Sequence, residues 1–171
     1  DSSYPRVVKL GREFPVDIKE GAIFPGGPIM TKDETSPSGW RVVAIGPTTS
    51  MRMELFEKEF IEKTGVRLII GKGGMGPNTE EGCSKFKAVH CLFPAGCAVI
   101  GAEAVQVVED VKWPGLGMPE SAWCMKVKEF GPLIVTIDTT GDNLFMRTKK
   151  LFNERKEPIV EEILPKTAYT D

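Results

Sequence analysis

The chain has 171 residues, 41% of them apolar, which suffices for one domain with a sizeable core. Its 22 basic and 24 acidic side chains nearly cancel, so the overall field excludes a nucleic-acid or anionic-membrane partner, and any charge selectivity has to be local. No apolar run approaches the roughly 20 residues that span a bilayer, and DSSYPRVVKLG at the start lacks the apolar core of a secretion signal, so a cytoplasmic protein is expected.

In chain order, residues 5 to 14 suit a short helix, followed by the Gly/Pro-rich passage AIFPGGPIM and a polar surface loop over 31 to 39. Trp40 to Ile45 reads as a strand. MRMELFEKEFIEKTG reads as a helix with Met53, Phe56 and Phe60 on one face and Gly65 as its stop. Val66 to Ile70 is wholly apolar and suits a strand buried on both faces, and GKGGMGP follows as a flexible loop. Asn78, with Glu81 three residues on, has the signature of an N-cap for a helix running to about Lys87. Ala88 to Phe93 is a further strand, and PAGCAVIGAEAV a turn opening a small-residue helix. Three strand patterns then follow, 105 to 113, 122 to 130 and 133 to 138, before a charged helical tail broken at Pro158.

Strands alternating with helices, then a run of strands, predict one α/β domain with a mixed sheet over 1–171, with about 146–171 as a helical extension. If the strands ending near Ile45, Ile70 and Phe93 are parallel, GPTTSMR, GKGGMG and PAGCA open on the same sheet edge, where ligands bind in such folds.

Within GPTTSMR, Thr48, Thr49 or Ser50 can cap the helix, leaving first-turn N–H groups and the positive end of the helix dipole to attract an anion. Arg52 adds a guanidinium that can bind a carboxylate or phosphate through two hydrogen bonds; the plainer alternative is an ordinary cap beside a solvated arginine. Gly71, Gly73 and Gly76 spell G-x-G-x-x-G. The acidic residue expected after the next strand is missing and Pro77 interrupts the helix approach, which argues against a dinucleotide site. Lys72 has no following Ser or Thr, so the loop is not a nucleoside-triphosphate loop either. It suits a second small-anion contact or a plain glycine-rich turn.

His90, the sole histidine, lies in an apolar strand and is expected to be a hydrogen-bonded core residue. Cys83, Cys91, Cys97 and Cys124 have no metal-type spacing and read as reduced structural thiols, so no metal is assigned to this chain. Glu120 either supports the site or solvates a turn.

Taken together, GP-TTS-x-RM at 46 to 53, IGKGGM at 70 to 75, the small-residue glycine turn at 94 to 98 and LGMPESAW at 116 to 123 resemble one family. It is the beta subunit, or C-terminal domain, of class I fumarate hydratases and L(+)-tartrate dehydratases, and the likeness runs to about Asn143. The resemblance implies a three-layer β/β/α swivelling domain, inactive alone, working in a hetero-oligomer with an alpha subunit whose [4Fe-4S] cluster acts as a Lewis acid on the substrate hydroxyl. It also implies that Thr48 takes part in proton transfer, Thr49 contacts substrate, Arg52 clamps a carboxylate and Lys72 reaches the same dicarboxylate. The favoured reaction is reversible dehydration of malate to fumarate, with L(+)-tartrate dehydration as the alternative. A nucleotide- or phosphate-binding module and a purely scaffolding partner are the rivals from other classes. Three departures stand out. Asp1-Ser2-Ser3-Tyr4 stands where the family usually has Arg-Asp-Ala-Ala-His, so the family's substrate-binding arginine has no counterpart within these residues. Glu54 replaces the usual aspartate, and Ala95-Gly96 stands where paired glycines are common.

Overall fold

The computed structural model describes residues 2–167; Asp1 and the end of the expected helical tail, 168–171, lie outside the described residues. The elements are α1 (Ser3–Val8), β1 (Ala22–Ile23), β2 (Gly26–Lys32), β3 (Trp40–Pro47), a 3-10 turn (Ser50–Met53), α2 (Glu54–Thr64), β4 (Leu68–Gly71) and α3 (Pro77–Phe86). They continue with β5 (Val89–Leu92), α4 (Ala98–Glu103), β6 (Val105–Lys112), β7 (Ala122–Val127), β8 (Ile134–Ile137) and α5 (Leu144–Ile163). The fold is mixed α/β, and its main sheet is mixed: the order is β1-β4-β5-β8, with the first three strands parallel and β8 antiparallel to β5.

β3 does not join that sheet, contrary to the sequence expectation. It pairs antiparallel with β2, which arises from the Gly/Pro-rich AIFPGGPIM passage, and β6 and β7 form another antiparallel ribbon. Burial patterning explains the separation. Along β3, Val42 and Ile45 are buried while Arg41 and Val43 are exposed, the alternation of a ribbon with one covered face. In β4 and β5 adjacent residues are buried instead, Ile69 with Ile70 and His90 with Cys91, as a strand covered on both faces requires.

Two apolar clusters result. One joins α1, α2 and the main sheet through Tyr4, Val7, Met53, Phe60, Ile61, Ile69 and Ile137; the other packs Met30, Val42, Ile45, Ala102 and Val108 between the ribbons and α4. Glu57 lies inside the first cluster, where burial pushes its carboxyl up to about 8, and the Tyr4 hydroxyl donates to it at 3.4 Å.

Two boundaries differ from the sequence reading and one agrees with it. α1 stops at Val8, with the chain passing through left-handed Gly11 at φ 61°. α2 ends at Gly65 (φ 68°) as expected. α5 runs unbroken through Pro158; it has no buried side chain, so the carbonyl that proline leaves unpaired faces water.

Candidate functional site

The site is built where β3 and β4 end. Although they belong to different sheets, the chain leaving β3 comes back beside β4: Thr49 and Lys72 form an isolated parallel bridge. Ser50 closes it from both sides. Its N–H donates to the Lys72 carbonyl at 3.1 Å, and its hydroxyl oxygen accepts from the Lys72 N–H at 2.9 Å. Arg52 follows in the same 3-10 turn, its N–H donating to the Thr49 carbonyl at 3.4 Å. The PAGCA loop is adjacent, because the Phe93 N–H donates to the Gly71 carbonyl at 2.9 Å. The three loops therefore converge, as expected, by a route that sheet periodicity did not indicate.

Each proposed residue has a definite setting. Thr48 is half-buried; its N–H and its hydroxyl both donate to the Pro25 carbonyl, at 2.9 and 3.0 Å. Thr49 and Arg52 are exposed and Lys72 is half-buried. None of Thr48, Thr49 and Ser50 caps α2 with its side chain, which corrects the capping expectation. The hydroxyls of Thr48 and Ser50 instead tie the loop to Pro25 and to Lys72, and a 3-10 turn intervenes before α2 begins.

Neighbouring residues contact the glycine loop at several points. Gly73 adopts φ 81°, a left-handed conformation that favours glycine. A Cβ on Gly74 would stand 2.9 Å from the Phe145 ring, so the aromatic ring lies directly on the loop. Buried Asn143 donates through Nδ2 to the Met75 carbonyl (2.9 Å) and to Glu80 (2.7 Å), while its Oδ1 accepts from Phe145 and Met146 and caps α5.

Sequence reasoning missed the residue that anchors the loop's far end. Glu54 accepts hydrogen bonds from the N–H groups of Gly76 (2.9 Å) and Asn78 (2.8 Å) and from the Thr79 hydroxyl (2.6 Å), so it caps α3 across space. Asn78, read as the cap, donates to the Glu54 carbonyl, and Glu81 pairs with Lys58. Local spacing could not reveal a cap supplied from another helix. Glu120 accepts from the Ser2 N–H at 2.7 Å.

His90 lies beneath the site, fully buried, its Nδ1 2.5 Å from the Thr136 hydroxyl oxygen. Burial lowers its ring to about 4, so it is neutral at physiological pH. Cys83 and Cys91 are buried and Cys97 and Cys124 half-buried, all as free thiols; burial pushes Cys83 up to about 12. Two cavities, of about 410 and 390 Å³, are lined by other residues than Thr48, Thr49, Arg52 and Lys72. Among the described residues, no helix is long and apolar enough to cross a membrane.

Comparison with known proteins identifies the family. The chain is similar to the L(+)-tartrate dehydratase subunit beta of Escherichia coli (strain K12), 58% identical over 99% of this chain and 83% of that protein. It is 37% identical to the putative L(+)-tartrate dehydratase subunit beta of Methanocaldococcus jannaschii, over 90% of this chain and 78% of the relative. It is 35% identical to a putative fumarate hydratase class I of Geobacillus stearothermophilus, over 88% of this chain and 29% of that longer protein. The family described as Fumarase C-terminus matches residues 4–148, which hold all three loops, and the chain belongs to that family.

Proposed function

We propose that this chain is the beta subunit of a hydro-lyase that removes water from a four-carbon 2-hydroxydicarboxylate, with L(+)-tartrate as the preferred substrate. Tartrate moves ahead of malate because relatives bearing that name reach 58% identity over nearly the whole chain. Malate and fumarate remain the second reading, favoured by the likeness to the fumarate hydratase class I protein. The observation that carries the proposal is the Thr49–Lys72 bridge, which sets the hydroxyl and arginine loop against the lysine loop.

The chemistry follows from charge. A dicarboxylate needs localised cations and oriented donors in a chain whose 22 basic and 24 acidic residues nearly balance. Arg52 offers a forked donor for one carboxylate and Lys72 an ammonium. When the proton at C3 is withdrawn, negative charge spreads onto the adjacent carboxylate, and cations already in place favour that state over the ground state. The C2 hydroxyl then leaves with its bonding pair and, once protonated, becomes water. Thr48 is proposed to take part in the proton transfer. Its own proton is held by the Pro25 carbonyl, so the hydroxyl becomes basic only if a carboxylate takes Pro25's place. Thr49 is proposed to contact substrate from the exposed side of the bridge.

The residues of this chain do not fit an iron-sulfur cluster. Among the described residues no three His, Cys, Asp or Glu side chains converge, and the Cys83 thiol is held protonated by burial. In this reading an alpha subunit holds the [4Fe-4S] group, the beta chain is a three-layer β/β/α domain that swivels against it, and the chain alone is inactive. The test is to assay the chain, its alpha partner and their mixture for dehydration of L(+)-tartrate and of malate. Turnover by the mixture alone, faster with tartrate, is expected. An assembled wild-type complex that dehydrates neither diacid would refute the proposal.

A further inference from the structure

His90 carries a polar atom that the fold leaves unexplained. Its Nε2 is buried and has no hydrogen-bond partner. The tautomer can be worked out from the other nitrogen. The Thr136 hydroxyl oxygen lies 3.0 Å from the His90 carbonyl and 2.5 Å from Nδ1; when its single proton goes to the carbonyl, it meets Nδ1 as an acceptor. In that arrangement Nδ1 bears the proton and Nε2 is a bare lone pair in the core.

That lone pair is aimed at the candidate site. The point where a Cβ on Gly71 would stand lies 3.3 Å from His90 Nε2 and 1.8 Å from Ser50 Oγ. A side chain at position 71 would meet both groups, and glycine leaves that space unfilled. Ser50 is itself buried, and its oxygen already accepts from the Lys72 N–H. Its hydroxyl proton needs an acceptor in a place closed to bulk water, and Nε2 is a buried acceptor in need of a donor.

We propose that His90 is a positioning residue for the dehydration site: Nε2 takes the Ser50 hydroxyl proton, which turns the Ser50 lone pair onto the Lys72 N–H and fixes the register between the Thr49 and Lys72 loops. The inference rests on the function proposed above for its catalytic consequence, and on geometry alone for the pairing itself. Thr136 sets the tautomer, His90 orients Ser50, and Ser50 holds the bridge that presents Lys72 and Arg52 together.

His90 is the sole histidine, so its ring nitrogens give a single set of signals in the 15N-labelled full chain. The expected spectrum has Nδ1 protonated and Nε2 unprotonated, with Ser50→Ala shifting Nε2 while Nδ1 stays in place. A ring protonated at Nε2, or an Nε2 signal indifferent to Ser50→Ala, would overturn the pairing. In the complex with the alpha partner, His90→Gln keeps an acceptor near the Nε2 position and is expected to retain most of kcat. His90→Asn keeps the donor to Thr136 but lacks the outer acceptor, and kcat is expected to fall about 10- to 100-fold, as for a misplaced catalytic group. Adding Ser50→Ala to His90→Asn is expected to cost little more, since both act through one contact. Equal kcat for the Gln and Asn variants would remove the positioning role. A wild-type complex without turnover would strike the proposed function and leave the nitrogen spectrum to decide the pairing.

Discussion

At the scale of single residues, the proposed function assigns Arg52 and Lys72 to contact with the substrate and His90 to holding the loops that present them. Arg52→Ala and Lys72→Ala are each expected to lower kcat/KM of the assembled enzyme by about 2–4 kcal/mol in transition-state terms, the range of a lost oxyanion donor, and steady-state kinetics on both diacids measures it. Unchanged turnover in both variants would dissolve the clamp. Glu57 makes a different prediction, about pH. Unfolded, it ionises near the ordinary 4.5; folded, burial keeps it protonated to about 8. Between those values the folded state binds the extra proton, so its contribution to stability falls as pH rises through that window and is level above about 8. Glu57→Gln keeps an acceptor for Tyr4 without the titration, so urea midpoints are expected to fall less between pH 5 and 8 than in the wild type. Parallel profiles would contradict an acid held neutral in the core.

Among elements, the decisive joint is the one between α2 and α3. Glu54 opens α2 and satisfies the first turn of α3, so one carboxylate fixes two helices and the end of the glycine loop. Glu54→Ala would strand buried donors at Gly76 and Thr79 and is expected to cost about 1–3 kcal/mol by denaturant titration. A loss within error would mean that water replaces the cap without penalty. The departure from the usual aspartate thus falls on a structural contact, one whose longer side chain spans to a neighbouring helix. The same joint explains why Asn78 misled the sequence reading. Its spacing to Glu81 is that of a local capping pair, yet tertiary contacts with Glu54 and Lys58 claimed both side chains.

For the whole molecule, the contrast is between a well-filled sheet core and α5. Phe145 lies on the glycine loop and Asn143 locks the helix start, while the following turns carry exposed Leu151, Phe152, Ile159 and Ile163. Among the described residues, ending the chain after Lys150 removes no buried side chain, so the thermal midpoint is expected to stay where it is by calorimetry. A clear drop would show that α5 supports the fold. The same truncation leaves Thr48, Thr49, Arg52 and Lys72 in place.

Element identities from α2 to β8 were legible in the sequence because local patterning dominates there: a helical apolar face with a glycine stop, doubly buried short strands, and a turn before a small-residue helix. The motifs around Thr48, Arg52 and Lys72 pointed to the family only when taken together, since each alone also reads as an ordinary cap or a glycine-rich turn. The partnering of strands was not. β3 and β4 both read as strands, and nothing local states that one belongs to a ribbon and the other to the main sheet. Pairing is settled by which faces can be buried together, a property of the assembled layers. Tertiary structure likewise decided that Glu54 caps α3, that Pro25 holds Thr48, and that Ser50 and His90 both come up beside Gly71. These contacts join residues 19 to 25 positions apart, beyond the reach of any helical or strand period.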